Sequence, residues 1–243
     1  MTTAPANPSL DSELGVRLAR LDTAALSDAM DSLRAAPCVL PGIRPRTPGT
    51  TAFGPAFTVR YRPVEDDSTF HNAANYIDDV PPGCVVVVDN AGTGACTNWG
   101  SLLTSVALRR EVAATVVHGA VRDVRESREL GYPLFSTAVN MVSGKNRVVL
   151  DRTGVAVDIA GTVVTPGDLV FADDNGALRI PADLVEEVVR RAEAVERTES
   201  RIRQAAQNGT RLDEARTRFG YARPWEDADE SGDGQAGGHD DGR

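Results

Sequence analysis

Lysine is nearly missing from this chain. Of 26 basic residues, Lys145 is the single lysine and the other 25 are arginine. Lysine is the side chain that forms Schiff bases and anchors pyridoxal phosphate. With one candidate, set in a turn-like Ser-Gly-Lys-Asn run, imine chemistry is disfavoured. Cysteine is as scarce: Cys38, Cys84 and Cys96 lie far apart, with no Cys-x-x-Cys. That argues against a disulfide framework and a cysteine zinc site, and it fits a reducing cytoplasm. The three histidines, His71, His118 and His239, are isolated, and neither His-Glu-x-x-His nor Gly-x-Ser-x-Gly occurs. A zinc hydrolase or a serine triad is therefore disfavoured. No stretch approaches the ~20 apolar residues of a membrane span. Met1 to Asp11 lacks the basic start and apolar run of a signal peptide.

Positive charge is in deficit too. Against 26 basic residues stand 35 acidic ones, a formal charge of −9. Sequence-independent nucleic-acid binding needs a basic face to replace counterions, and anionic membranes attract basic segments. Neither partner is expected. The deficit is uneven: residues 222–243 hold seven acids and two arginines, or −5, which leaves −4 for residues 1–221. Three segments are expected: a disordered N-terminus over 1–12, a folded body over 13–221, and a disordered acidic tail over 222–243. At 41% hydrophobic and 25% charged, the chain has the balance of a soluble globular protein. It is long enough to bury a core without disulfides or a structural metal.

Apolar residues at three- and four-residue steps predict helix from Leu14 to Leu33, with Asp22-Thr23 placed to cap a second helix inside it. Pro37 to Pro48 reads as loop, and Phe57 to Tyr61 alternates like a half-buried strand. Cys84 to Val88 and Ala114 to His118 are β-branched runs typical of strands buried on both faces. Helices are predicted over Ser101 to Arg110 and Val124 to Leu130, and a third strand begins at Leu134. This β-α-β-α-β alternation implies parallel pairing. After Gly144 come five short strands separated by Gly/Pro turns: Arg147 to Leu150, Val155 to Ile159, Thr162 to Thr165, Asp168 to Ala172 and Ala177 to Ile180. They read as antiparallel. A long helix runs from Pro181 to about Asn208.

Two loops carry the candidate chemistry. Asp89 to Gly100 follows the first buried strand, but Thr97 stands where a dinucleotide-binding Gly-x-Gly-x-x-Gly needs glycine, and no P-loop lysine follows. The helix start at Gly100-Ser101 would point free N–H groups into that space, a setting for carboxylates or phosphates. The second strand leads into His118-Gly119-Ala120-Val121-Arg122-Asp123. Ligands of open α/β sheets sit beyond the carboxyl ends of the strands. Arg122 could clamp a carboxylate bidentately, and Asp123 could hold a hard divalent cation. The plainer alternatives are a surface ion pair for Arg122 and an N-cap for Asp123.

The run His118 to Asp123 resembles the strand-turn signature of the RraA-like family. That family includes the regulator of ribonuclease E activity and the metal-dependent 4-hydroxy-4-methyl-2-oxoglutarate aldolases. Supporting segments are Ala25 to Met30, Phe70-His71, Pro82 to Val87, Trp99 to Leu103 and Thr165 to Gly176, in the family's order and spacing. The resemblance implies an α-β-β-α sandwich of the swivelling phosphohistidine-domain type, assembled as homotrimers or homohexamers with sites at subunit interfaces. It implies that Arg122 binds a pyruvyl carboxylate and that Asp123 holds Mg²⁺ or Mn²⁺, largely through waters. The amides around Gly100, Leu102 and Leu103 would complete the pocket, and Glu199 of a neighbouring copy would approach the metal waters. Ser101 stands where the aldolases carry an acid; a hydroxyl can accept a hydrogen bond there but supplies no charge.

The expected function is a divalent-metal-dependent lyase cleaving a C–C bond of a 2-oxo acid to give pyruvate, by retro-aldol cleavage or oxaloacetate-type decarboxylation. Ser101 and Glu199 would assist the proton transfer. Two other readings are a non-catalytic protein-binding regulator and a family member repurposed in a biosynthetic pathway. His71 either lines the pocket or packs.

Overall fold

The computed structural model describes residues 12–36, 38–65, 70–71 and 75–226. The assignments of disorder to the two ends therefore fall mostly outside the described residues, as does His239. Helices α1 (Glu13–Leu18) and α2 (Thr23–Ser32) divide the expected 14–33 stretch at Asp22. The Asp22 carboxylate accepts the Ala25 N–H at 2.8 Å, and Ser12 caps α1 in the same way through Gly15.

Next come β1 (Arg44–Pro45), a two-residue strand inside the expected loop, and β2 (Ala52–Pro63), far longer than its alternating centre suggested. The core alternation follows as β3 (Val85–Asp89), α3 (Ser101–Arg109), β4 (Ala114–Val121), α4 (Val124–Glu129) and β5 (Leu134–Val139). Strands β2, β3, β4 and β5 pair in parallel. Strand β4 runs three residues beyond its expected end at His118. The Thr137 hydroxyl spans the register shift there, accepting from Gly119 N at 2.9 Å and donating to Gly119 O at 3.0 Å.

The second half contains β6 (Val148–Thr153), β7 (Val157–Ile159), β8 (Thr162–Val164), β9 (Leu169–Asp173) and β10 (Gly176–Ile180), all antiparallel in their pairings. Helix α5 (Val185–Gln207) follows a 3-10 turn at Ala182–Leu184, so the long helix starts later than Pro181. Helix α6 (Leu212–Arg218) was not anticipated.

The main sheet has the order β1-β5-β4-β3-β2-β9-β10, with β6 also on β2. Strand β2 serves two partners along one edge: residues 52–55 pair with β9 and residues 59–63 with β6. Its sheet thus folds over itself into two faces. The outer strands β1 and β10 come together where Gly176 lies against the Ile43 carbonyl, nearly closing a barrel.

Strand pleating divides the apolar residues into three buried clusters. Val85 and Val87 point inward with Phe135, Val170 and Ile159. Val86 and Val88 point outward under α3 and α4 with Trp99, Leu103 and Tyr132. Phe171 and Leu178 face α1, α2 and α5, beside Leu26 and Val188. The layering is helix, sheet, sheet, helix, as the family resemblance implied. The body reaches past the boundary expected at Tyr221: Pro224 is buried, and Trp225 packs on the α2/α5 cluster beneath the Arg191 guanidinium, 5.7 Å from the ring centroid. Among the described residues no helix is long and apolar enough to cross a membrane.

Phe171 is 0% exposed and stacks on Phe53 at 5.7 Å. Phe171→Ala should cost about 3–5 kcal/mol, read from the chemical denaturation midpoint. On α5, Arg190 and Arg191 donate to the Glu187 carboxylate at 2.6–2.9 Å and hold its pKa down at about 2. A depressed carboxylate stabilises the fold above its ordinary pKa of 4.5, and that contribution disappears as pH falls toward 2. Glu187→Gln should therefore flatten the loss of stability across this window, measured by thermal unfolding at stepped pH.

Candidate active site

The site is assembled where the loop before α3 meets the end of β4. Trp99, 1% exposed, anchors that loop. Its ring stacks on Tyr132 at 6.0 Å, and its Nε1 donates to the Thr104 hydroxyl at 3.1 Å. Thr104 continues to Ser127 on α4 at 3.3 Å. The Trp99 carbonyl accepts the Arg122 N–H at 3.0 Å, which fixes the loop against the residue that enters the site.

Asp123 occupies the N-cap position of α4, but its side chain makes no capping bond to that helix. Its φ is +54°, a left-handed conformation that aspartate tolerates better than most residues. The carboxylate turns back and accepts the Ser101 N–H at 2.9 Å, capping α3 instead. Arg122 Nε lies 3.6 Å from the same oxygen, and about a third of each side chain remains exposed. The two plainer alternatives thus combine: Arg122 and Asp123 do face each other, and Asp123 is a cap, but for a helix 22 residues earlier.

Gly100 makes this approach possible. Its φ of −164° suits any residue, so the requirement is steric. A Cβ there would sit 2.7 Å from Asp123 Oδ2 and 3.1 Å from Arg122 Nε. Ser101 opens α3, and the N–H groups of Leu102 and Leu103 follow in the first turn, where a helix supplies no internal acceptor. The Leu103 side chain is buried under the sheet, whereas Leu102 is 81% exposed.

These residues border a cleft of about 250 Å³ lined by Thr97 to Leu103, Val106, Arg122, Ser143 and Lys145. Larger grooves lie elsewhere. One, of about 380 Å³, runs between α2, α5 and Trp225 and contains Glu199, whose carboxylate is 3.8 Å from Arg203. It shares no lining residue with the cleft, so Glu199 lines a groove separate from the one beside Arg122. His118 sits under the 90–96 loop, 3.6 Å from Asp89, and Gly92 leaves room for its ring. His71 exchanges backbone and side-chain bonds with Asn146, its N–H donating to Asn146 Oδ1 at 2.9 Å, on the turn that carries Lys145.

Two residues of the cleft escaped sequence reasoning. Asn98 is 3% exposed, and neither of its amide atoms has a hydrogen-bond partner among the described residues. Nothing in the sequence marked it. Lys145 is conspicuous as the sole lysine, but its sequence context does not place it at the cleft.

A helix-sheet-sheet-helix body with a cleft beside Arg122 and Asp123 is the arrangement of an aldolase/RraA class of protein. The RraA-like family model, described as Aldolase/RraA, matches residues 23–179, and the chain belongs to that family. It is 46% identical over 214 residues to Protein DlpA of Legionella pneumophila, covering 86% of this chain and 34% of that one. The chain thus spans about a third of that relative's length. A Halalkalibacterium halodurans protein named "Putative 4-hydroxy-4-methyl-2-oxoglutarate aldolase" is 29% identical, over 71% of this chain and 78% of its own. Among solved structures, Streptomyces coelicolor RraAS2 is described as an unusual member of the RNase ES inhibitor RraA protein family. It superposes with a TM-score of 0.70 at 30% identity, covering 78% of this chain and 95% of that one.

Gly100→Ala should displace the Arg122-Asp123 pair and destabilise the protein by about 1–3 kcal/mol, the range for overpacking a close contact. Unfolding followed by circular dichroism measures it, and an unchanged midpoint would show that the pair is not held this way.

Proposed function

We propose that the protein is a lyase that cleaves a C–C bond of a 2-oxo acid and releases pyruvate. The observation that carries this reading is the placement of Arg122 and Asp123 against the free first turn of α3. The guanidinium can bind the pyruvyl carboxylate through two parallel bonds. The Leu102 and Leu103 N–H groups supply further donors, favoured by the positive end of the helix dipole. The aldolase name of a relative supports the chemistry.

The family resemblance implies Mg²⁺ or Mn²⁺. Among the described residues no three His, Cys, Asp or Glu side chains cluster as a metal cage. Asp123 uses one oxygen on Ser101 N–H, and no bond to its other oxygen is present among the described residues. One carboxylate suits a hard cation that keeps most of its waters, and it does not suit zinc. The residues fit a water-rich site held by Asp123. Such an ion, when bound, supplies positive charge to the enolate oxygen that develops during cleavage.

The chain's own groups account for the rest. In retro-aldol cleavage the 4-hydroxyl loses its proton, the C3–C4 bond breaks, and its electron pair forms the enolate of pyruvate, which is then protonated at C3. In the decarboxylation variant CO₂ leaves instead. Arg122 fixes the carboxylate throughout. The Ser101 hydroxyl, at the mouth of the cleft, can accept or relay a proton but cannot act as a carboxylate base. Glu199 would take part from a second copy, in a trimer or hexamer with its sites at interfaces.

The test is pyruvate release from 4-hydroxy-4-methyl-2-oxoglutarate and from oxaloacetate, with and without Mg²⁺. Asp123→Ala and chelation should each reduce the rate at least ~100-fold, the scale of losing a principal electrostatic stabiliser. Activity that survives both would overturn the mechanism. A second reading, a non-catalytic regulator that binds a ribonuclease, is favoured by the likeness to RraAS2. It predicts capture of a ribonuclease that Asp123→Ala leaves intact.

A further inference from the structure

Lys145 reaches the cleft on a turn built for that approach. A Cβ at Gly144 would collide with the Thr97 carbonyl, so glycine lets the turn press directly onto the loop before α3. A bridge between Thr97 and Ser143, with Thr97 N–H donating to Val142 O at 2.9 Å, joins the two segments. Lys145 N–H donates to the Ser143 hydroxyl at 3.2 Å, and Arg147 Nη1 donates to the Ser143 carbonyl at 3.1 Å. Asn146 takes the left-handed conformation at φ +58° and is tied to His71. The lysine side chain is exposed, and no acidic partner for its ammonium is present among the described residues.

Among the described residues, the lining of the cleft therefore includes two cationic residues, Arg122 and Lys145, and no carboxylate-bearing one. Asp123 stands at the mouth with its charge directed to Ser101 N–H, and Ser101 itself adds none. A monoanion satisfies one of these cations. A substrate with a second carboxylate satisfies both, each through a charge-assisted contact.

We propose that Lys145 is a specificity-determining residue that binds the distal carboxylate of a 2-oxo dicarboxylate while Arg122 holds the carboxylate beside the keto group. This rests on the 2-oxo acid reading above. It assigns the single lysine an electrostatic role and no covalent one.

Equilibrium binding to the full chain in Mg²⁺ tests it, by calorimetry with 2-oxoglutarate as the dianion and pyruvate as the monoanion. Lys145→Gln should weaken 2-oxoglutarate about 10-fold or more, the scale of one lost charge-assisted contact. Pyruvate should change less than about 2-fold, within the scatter expected when no contact is lost. Lys145→Arg should restore the dianion, whereas Arg122→Gln should weaken both acids. Binding of both acids with no selective effect of Lys145→Gln would overturn this assignment alone. If neither acid binds the unaltered protein, the 2-oxo acid reading fails and the assignment falls with it.

Discussion

Strand β2 is the constraint on which the architecture depends. It pairs with β3 along one edge and divides its other edge between β9 and β6. The antiparallel half carrying β9 and β10 folds over the parallel half. That folding creates an inner layer between two sheet faces and leaves each outer face to be covered by helices. Consecutive valines of β3 consequently contribute to different clusters, Val85 and Val87 within and Val86 and Val88 beneath α3 and α4.

The site follows from the same arrangement. Parallel pairing of β3 and β4 places the loops leaving both strands at one end of the sheet. Trp99 then locks the first loop down, and Asp123 reaches across to α3. The left-handed Asp123 is a local rule broken for a distant gain. It leaves its own six-residue helix without a side-chain cap and uses its carboxylate on the longer α3. Such a position is poorly suited to stabilising α4 and well suited to presenting a carboxylate beside Arg122.

Much of this was legible in the residues. The β-branched runs, the cap at Asp22 and the Gly/Pro turns after Gly144 produced the elements expected of them. Strand β1 was hidden because two residues in a Pro/Arg-rich segment carry no periodicity. The length of β2 was hidden because its first half, buried on both faces, does not alternate. Helix α6 is too short and too charged to announce itself. The Trp225 contact was obscured by the acidic tail that follows it in sequence.

Sequence alone left a single lysine for any imine chemistry, and it singled out Arg122, Asp123 and the Gly100-Ser101 turn. Those conclusions depend on residue chemistry and on strand-loop order, both of which are local. Only the tertiary structure decided which helix Asp123 caps, that Glu199 occupies a separate groove, and that Lys145 lines the cleft. Each is a meeting of segments distant in the chain, set by which strand edges pair and how closely a glycine lets two backbones approach. No spacing within one segment encodes those distances.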